Sequence, residues 1–212
     1  MKFTFADEQF LLLPEKALFW ENEKTLILAD LHLGKASHFR KQGLAVPTQS
    51  IQKDYSILSS LITDYQPNRI LILGDLFHST YNTEWEIFGD FLEKNQSVRF
   101  ELVMGNHDIL PVEKYNSLGL IIMGEIMVHK NLIFSHHPLQ SVPENFLNFS
   151  GHIHPGIRLE GTGRQSITMP CFYHLDSNFI LPAFGSLTGL KVLEKHKNAE
   201  IFGISGSRIF KI

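Results

Sequence analysis

The sequence predicts an α/β chain built on two β-sheets with outer helices. Three observations predict it. Between residues 24 and 104, apolar runs alternate with helical periodicity in the order strand, helix, strand, helix, strand. That order implies parallel strands joined by right-handed crossovers. After residue 115, short strand-like runs are divided by turn signals, the pattern of a second, largely antiparallel sheet. Finally, five apolar runs end alike, each delivering Asp, Asn or His just past its last apolar residue.

The elements follow in order. Residues 24–29 form a strand after a segment of short apolar pieces. Residues 30–47 read as a loop with a short basic helical piece holding Lys35, His38, Arg40 and Lys41. A helix starts at Thr48, whose hydroxyl caps it after Pro47. It places Ile51, Tyr55, Leu58, Leu61, Ile62 and Tyr65 at helical spacing until Pro67 stops it. Residues 69–72 are apolar and rich in β-branched side chains, so they read as a buried strand. Gly74 then lets the backbone turn, and Asp75 stands at the C-terminal strand end, where open α/β sheets bind ligands. Residues 84–94 are helical, with Trp85, Phe88, Phe91 and Leu92 on the core face, and residues 98–104 form the next strand. Short strands follow at 120–123, 125–129 and 132–134, divided by Gly124 and by Lys130-Asn131. From 146 onward, strand-like runs alternate with turn signals at 161–163 and 203–206. No linker, repeat or low-complexity tract interrupts the chain, so residues 1–212 read as one domain.

Composition narrows the class. Hydrophobic residues at 43% and charged residues at 19% suit a soluble globular chain of 212 residues with a sizeable core. No apolar run approaches 18 residues and the N-terminus lacks a signal-peptide segment, so a cytoplasmic protein without membrane contact is expected. Cys171 is the only cysteine, which excludes an internal disulfide and a multi-cysteine metal cluster and reads as a core thiol. The net charge of −3 means that any nucleic-acid binding must come from a local patch. Eleven histidines are many, and those beside Asp, Asn or Gly at the ends of apolar runs suit metal ligation. His129, His174 and His196 lie outside those endings and read as core or surface residues.

The run endings supply Asp30, His32, Asp75, Asn106, His136, His152 and His154. Oxygen and imidazole donors without thiolate suit Mn, Fe, Zn or Ni. Asp30 and His32 are two apart, as are His152 and His154, so in an extended segment each pair faces one side and can chelate. Seven donors exceed the needs of one ion, which points to two ions sharing a carboxylate, with Asp75 as the bridge. Two ions about 3.5–4 Å apart can activate a bridging hydroxide and clamp both oxygens of an in-line displacement at phosphorus. That chemistry needs a proton donor for the leaving oxygen. His107 is next to Asn106 and is not needed as a ligand, and Asp108 could orient its imidazole.

At these residues the chain resembles the calcineurin-like metallophosphoesterases. Their pattern runs Asp-x-His, Gly-Asp, Gly-Asn-His-Asp/Glu, a His after a strand, then Gly-His-x-His. The chain has Asp30-Leu31-His32, Gly74-Asp75, Gly105-Asn106-His107-Asp108, His136 and Gly151-His152-Ile153-His154, in that order. The resemblance implies a four-layer α/β sandwich of two mixed β-sheets flanked by helices. It also implies a dinuclear centre of divalent metal ions, Mn first, with Fe, Zn, Ni or Mg as alternatives. One ion would take Asp30, His32, Asp75 and His154; the other would take Asp75, Asn106, His136 and His152. His137 is the alternative to His136.

Within that superfamily, residues 29–35, 39–40, 43–47, 74–79, 169–172 and 181–186 look like the ligase-associated DNA damage response endonucleases. The implied substrate is a DNA phosphodiester. The implied partners are DNA and DNA repair proteins such as a ligase and a helicase. Arg40 and Lys35 would bind phosphate beside the metals, with a solvated basic turn as the alternative, and His78 would bind substrate. Two rival readings stay open. One is a phosphatase or phosphodiesterase for nucleotides or other small molecules, which the −3 charge favours. The other is a silent phosphoesterase fold kept as a protein-binding module, which should have lost ligands that this chain retains.

Overall fold

The computed structural model describes residues 1–35, 49–77 and 83–212. The chain opens with an antiparallel meander of β1 (Lys2–Phe5), β2 (Glu8–Leu13), β3 (Ala17–Trp20) and β4 (Thr25–Leu28). From β4 onward the pairing turns parallel, through β5 (Arg69–Leu73), β6 (Arg99–Val103) and β7 (Ile121–Ile122). Parallel neighbours require crossovers. They contain α1 (Gln49–Tyr65), α2 (Thr83–Lys94) and α3 (Val112–Ser117). The sheet runs β1 to β7 in sequence order. The short run at 120–123 therefore closes the first sheet instead of opening the second, because α3 returns it beside β6 with Glu101 opposite Ile121.

The second sheet holds β8 (Ile126–His129), β9 (Leu132–Ser135), β10 (Leu147–Ser150), β11 (Pro155–Glu160), β12 (Ser166–Leu175) and β13 (Asn178–Ile180). It is completed by β14 (Lys191–Val192), β15 (Glu200–Ser205) and β16 (Arg208–Lys211). Its order is β14-β11-β12-β13-β10-β9-β8, with β15 on β12 and β16 beyond. The hairpins are antiparallel, as the turn signals require. However, β9, β10 and β13 run parallel, since β10 is reached through the long connection 136–146 and not through a tight turn. The sheet is thus mixed, and the C-terminal ends of β9 and β10 share one edge.

Three apolar layers hold this arrangement. Between the sheets, Phe10, Trp20, Phe134, Phe149, Phe172 and Phe179 interlock, with the rings of Phe10 and Phe149 4.8 Å apart. Fully burying one such side chain contributes about 1.5–3 kcal/mol, so this layer clamps the sheets together. Leu58 and Leu61 of α1, Phe88 and Phe91 of α2 and Tyr115 of α3 cover the outer face of the first sheet. The outer face of the second sheet, with Ile157, Met169, Cys171 and Ile201, is closed by Leu193 and Ala199, not by any helix among the described residues. Away from the strand ends that carry the candidate ligands, Glu8 accepts from Trp20 Nε1 at 2.7 Å and from Lys130 Nζ at 2.6 Å, which joins the two sheets. No helix among the described residues is long and apolar enough to cross a membrane.

Candidate metal centre

All the candidate ligands lie just past C-terminal ends of strands with parallel neighbours. Asp30 and His32 follow β4, Asp75 follows β5 and Asn106 follows β6; His136 follows β9, and His152 and His154 follow β10. To turn there, the backbone enters the left-handed region at Asp30 (φ 54°), His32 (48°), Asp75 (51°), His152 (65°) and His154 (52°). Such residues cost about 1–3 kcal/mol each and persist only where surroundings fix them. Here hydrogen bonds do so. His32 N–H donates to the Asp75 carbonyl at 2.9 Å, and Phe184 N–H to the Ala29 carbonyl at 2.8 Å. The His152 N–H donates to the Asp30 carboxylate at 2.9 Å. Gly74, at φ +77°, has no room for a side chain, because a Cβ would collide with the His136 imidazole.

The donor atoms converge in two sets. In the first, His32 Nε2 lies 3.4 Å from His154 Nε2, and His154 Nε2 lies 3.4 Å from Asp30 Oδ1. In the second, His136 Nε2 lies 3.0 Å from Asn106 Oδ1 and 3.2 Å from His152 Nδ1. Asp75 touches both: Oδ2 is 3.6 Å from His32 Nε2 and Oδ1 is 3.3 Å from His136 Nε2. His137 is exposed, with its ring 4.0 Å from that of His152, whereas the buried His136 faces Asp75 and Asn106.

His136 Nδ1 is 2.9 Å from the Leu73 carbonyl, which can only accept, so Nδ1 carries a proton and Nε2 is the nitrogen that faces the cluster. Burial pushes His32 down to about 3 against the pull of Asp75, leaving a neutral imidazole. Burial also pushes Asp75 up, but contact with His136 and the His107 N–H outweigh it and hold the carboxyl at about 2. For His136 the burial effect is downward, and Asp75 outweighs it to raise the imidazole. Burial and the neighbouring imidazoles lower His152. Buried carboxylates beside imidazoles, with no thiolate nearby among the described residues, fit divalent Mn, Fe, Zn or Ni.

His107 stands beside this cluster, its ring 5.3 Å from that of His32 and its backbone N–H bonded to Asp75 Oδ1 at 2.9 Å. Asp108 has a different partner from the expected one. Its carboxylate accepts from the backbone N–H groups of Asp75, Leu76 and Gly105, so it ties loops together where the sequence suggested an imidazole clamp. Burial raises it to about 6 against those bonds. Lys35 follows the His32 turn, lowered by burial and drawn the other way by Asp30 and Asp75. Arg40 and His78, expected to bind substrate, lie outside the described residues, as do His38 and Lys41. His129 and His174 pair with Glu23 and Glu200 away from the cluster.

Sequence reasoning missed the residues that hold the 136–139 loop. Asn148, wholly buried, donates to Ser135 Oγ at 2.8 Å, and Ser135 Oγ donates to the His137 carbonyl at 2.7 Å. Leu139 N–H donates to the side-chain oxygens of both Asn148 and Asn178. The available signal was an Asn inside an apolar strand, since a buried amide is retained where its hydrogen bonds are met.

Solved structures resemble this fold. The Pseudomonas putida nuclease MPE superposes with a TM-score of 0.84 at 23% identity, covering 100% of this chain and 99% of that one. Yfce, a phosphoesterase from E. coli, matches at 13% identity and a TM-score of 0.47, covering 89% of this chain and 97% of its own. No curated protein matches the chain. The model of the family described as calcineurin-like phosphoesterase matches residues 23–200. With that match spanning both sheets and every candidate ligand, the chain belongs to the calcineurin-like phosphoesterase family.

Proposed function

We propose that the protein is a phosphodiesterase that cleaves DNA with the aid of two divalent metal ions, Mn first. The observation that carries the reading is Asp75, whose two carboxylate oxygens face two separate imidazole sets. Asp30, His32 and His154 would hold one ion, and Asn106, His136 and His152 the other, with Asp75 available to both. Bound there, the ions supply Lewis-acid activation of water and neutralise the phosphoryl oxygens. His107 gives its proton to the leaving oxygen as water displaces it at phosphorus. Asp30, Asp75 and the buried loops orient the histidines, so the geometry exists before substrate arrives.

DNA is favoured as substrate by the likeness to the Pseudomonas putida nuclease and by the basic residues Lys35, Arg40 and Lys41. A role in DNA repair beside a ligase and a helicase follows from the sequence resemblance. The net charge of −3 favours a second reading, a small nucleotide or other phosphoester as substrate. One experiment separates them. Chelator-stripped protein is resupplied with Mn²⁺, Mg²⁺, Zn²⁺, Ni²⁺ or Fe²⁺ and offered an oligonucleotide, a cyclic nucleotide and a phosphomonoester. Metal-dependent cleavage of the oligonucleotide is expected; turnover of the other two alone would overturn the DNA reading.

A further inference from the structure

A cleft of about 510 Å³ opens beside the candidate metal centre, between the loop after β6 and the strands β8 and β9. It is continuous with the centre, because Asn106 and His136 line both. Its walls are apolar: Val112 from α3, Ile126 from β8 and Leu139 from the loop after β9. Val112 and Ile126 remain 41% and 51% exposed, which is unusual for large aliphatic side chains at the mouth of a polar site.

The charge of the lining decides what fits. Among the described residues no Lys or Arg lines the cleft, and its carboxylates are Asp108 and Glu125. A second phosphate would be repelled there. A neutral, flat group linked to the phosphate at the metal centre would instead bury its apolar faces. The volume suits such a group, since small-molecule sites span roughly 300–1,000 Å³. The proton donor fixes which arm of the diester it is. His107 stands on the His32 side and does not line the cleft, so the oxygen it protonates departs on that side. The arm retained on phosphorus then points into the cleft.

We propose that this cleft is a nucleobase subsite, holding the base of the nucleoside that stays esterified to phosphorus. The proposal rests on the phosphodiesterase reading above. Two substrates with one leaving group test both separately: thymidine 5′-(p-nitrophenyl) phosphate and methyl p-nitrophenyl phosphate, each with the Mn²⁺-loaded protein. Contact with one base is expected to raise kcat/KM for the thymidine ester about tenfold over the methyl ester. Ile126→Asp should reduce that ratio to near one. Val128→Asp, the same change at an exposed position of the same strand outside the cleft, should leave the ratio intact. Equal handling of the two esters by the unaltered protein would overturn the subsite and leave the phosphodiesterase reading standing. Equal loss of the ratio in both variants would also overturn it, as a general surface effect. Turnover of neither ester would overturn the phosphodiesterase reading and the subsite with it.

Discussion

Asp108 accepts a 2.8 Å hydrogen bond from the backbone N–H of Asp75, so a side chain beyond β6 holds the turn beyond β5. The same oxygen takes the Gly105 N–H at 2.9 Å and the other takes Leu76 N–H at 3.0 Å. Asp108→Asn would put an NH₂ group against these donors. Hydrogen bonds to a charged acceptor are worth about 1.5–3 kcal/mol. We expect a loss of about that size, seen as a melting temperature lower by roughly 3–12 °C for a chain of this size. Metal affinity should fall as well, because the Asp75 turn loosens. An Asn variant that melts and binds metal like the parent would remove Asp108 from this role.

Asp75→Ala should be the most damaging change among the candidate ligands. It deletes the oxygens facing His32 and His136 at once. Bound metal, counted by elemental analysis after gel filtration, should drop together with activity. A variant that retains two ions per chain would exclude the shared position.

Much of this was legible in the residues. The parallel order of β4, β5 and β6 follows from periodicity, and the ends of β4, β5, β6, β9 and β10 carry visible polar markers. The partner of Asp108 was not legible, since backbone amides have no sequence signature and a neighbouring His looked the obvious choice. Nor was the parallel run of β9, β10 and β13, because short apolar strands look the same in either direction. The left-handed φ values at Asp30, His32, Asp75, His152 and His154 were equally hidden: at such positions glycine is the expected residue, and tertiary hydrogen bonds override that preference.

Acid stability should depend on the link between the sheets. Burial pushes the Glu8 carboxyl up, but bonds from Lys130 and Trp20 outweigh it and hold it below the ordinary carboxylate value. In the unfolded chain it returns to that value. The folded protein therefore binds the proton less readily, and the contribution is present above the unfolded value and lost as pH falls through the folded one. Lys130→Met should lower the melting temperature at pH 7 and shrink that difference below about pH 4. A gap that is constant from pH 7 to pH 3.5 would show that the ion pair adds nothing through titration.

His107→Gln tests the chemistry apart from the metal. The residue is outside both donor sets, so metal content should remain near that of the parent. Its backbone N–H still reaches Asp75 Oδ1, since the substitution alters only the side chain. What disappears is a proton for the leaving oxygen, a contribution of typically about 10²–10⁴-fold. The loss should be large for DNA, whose leaving alkoxide is a poor group without a proton. It should be far smaller for a p-nitrophenyl diester, whose phenolate departs readily unprotonated. The difference between the two losses isolates proton transfer from positioning, because misplacing the phosphate would slow both substrates alike. Equal losses, or a fall in bound metal, would move His107 from proton donor to a part of the scaffold.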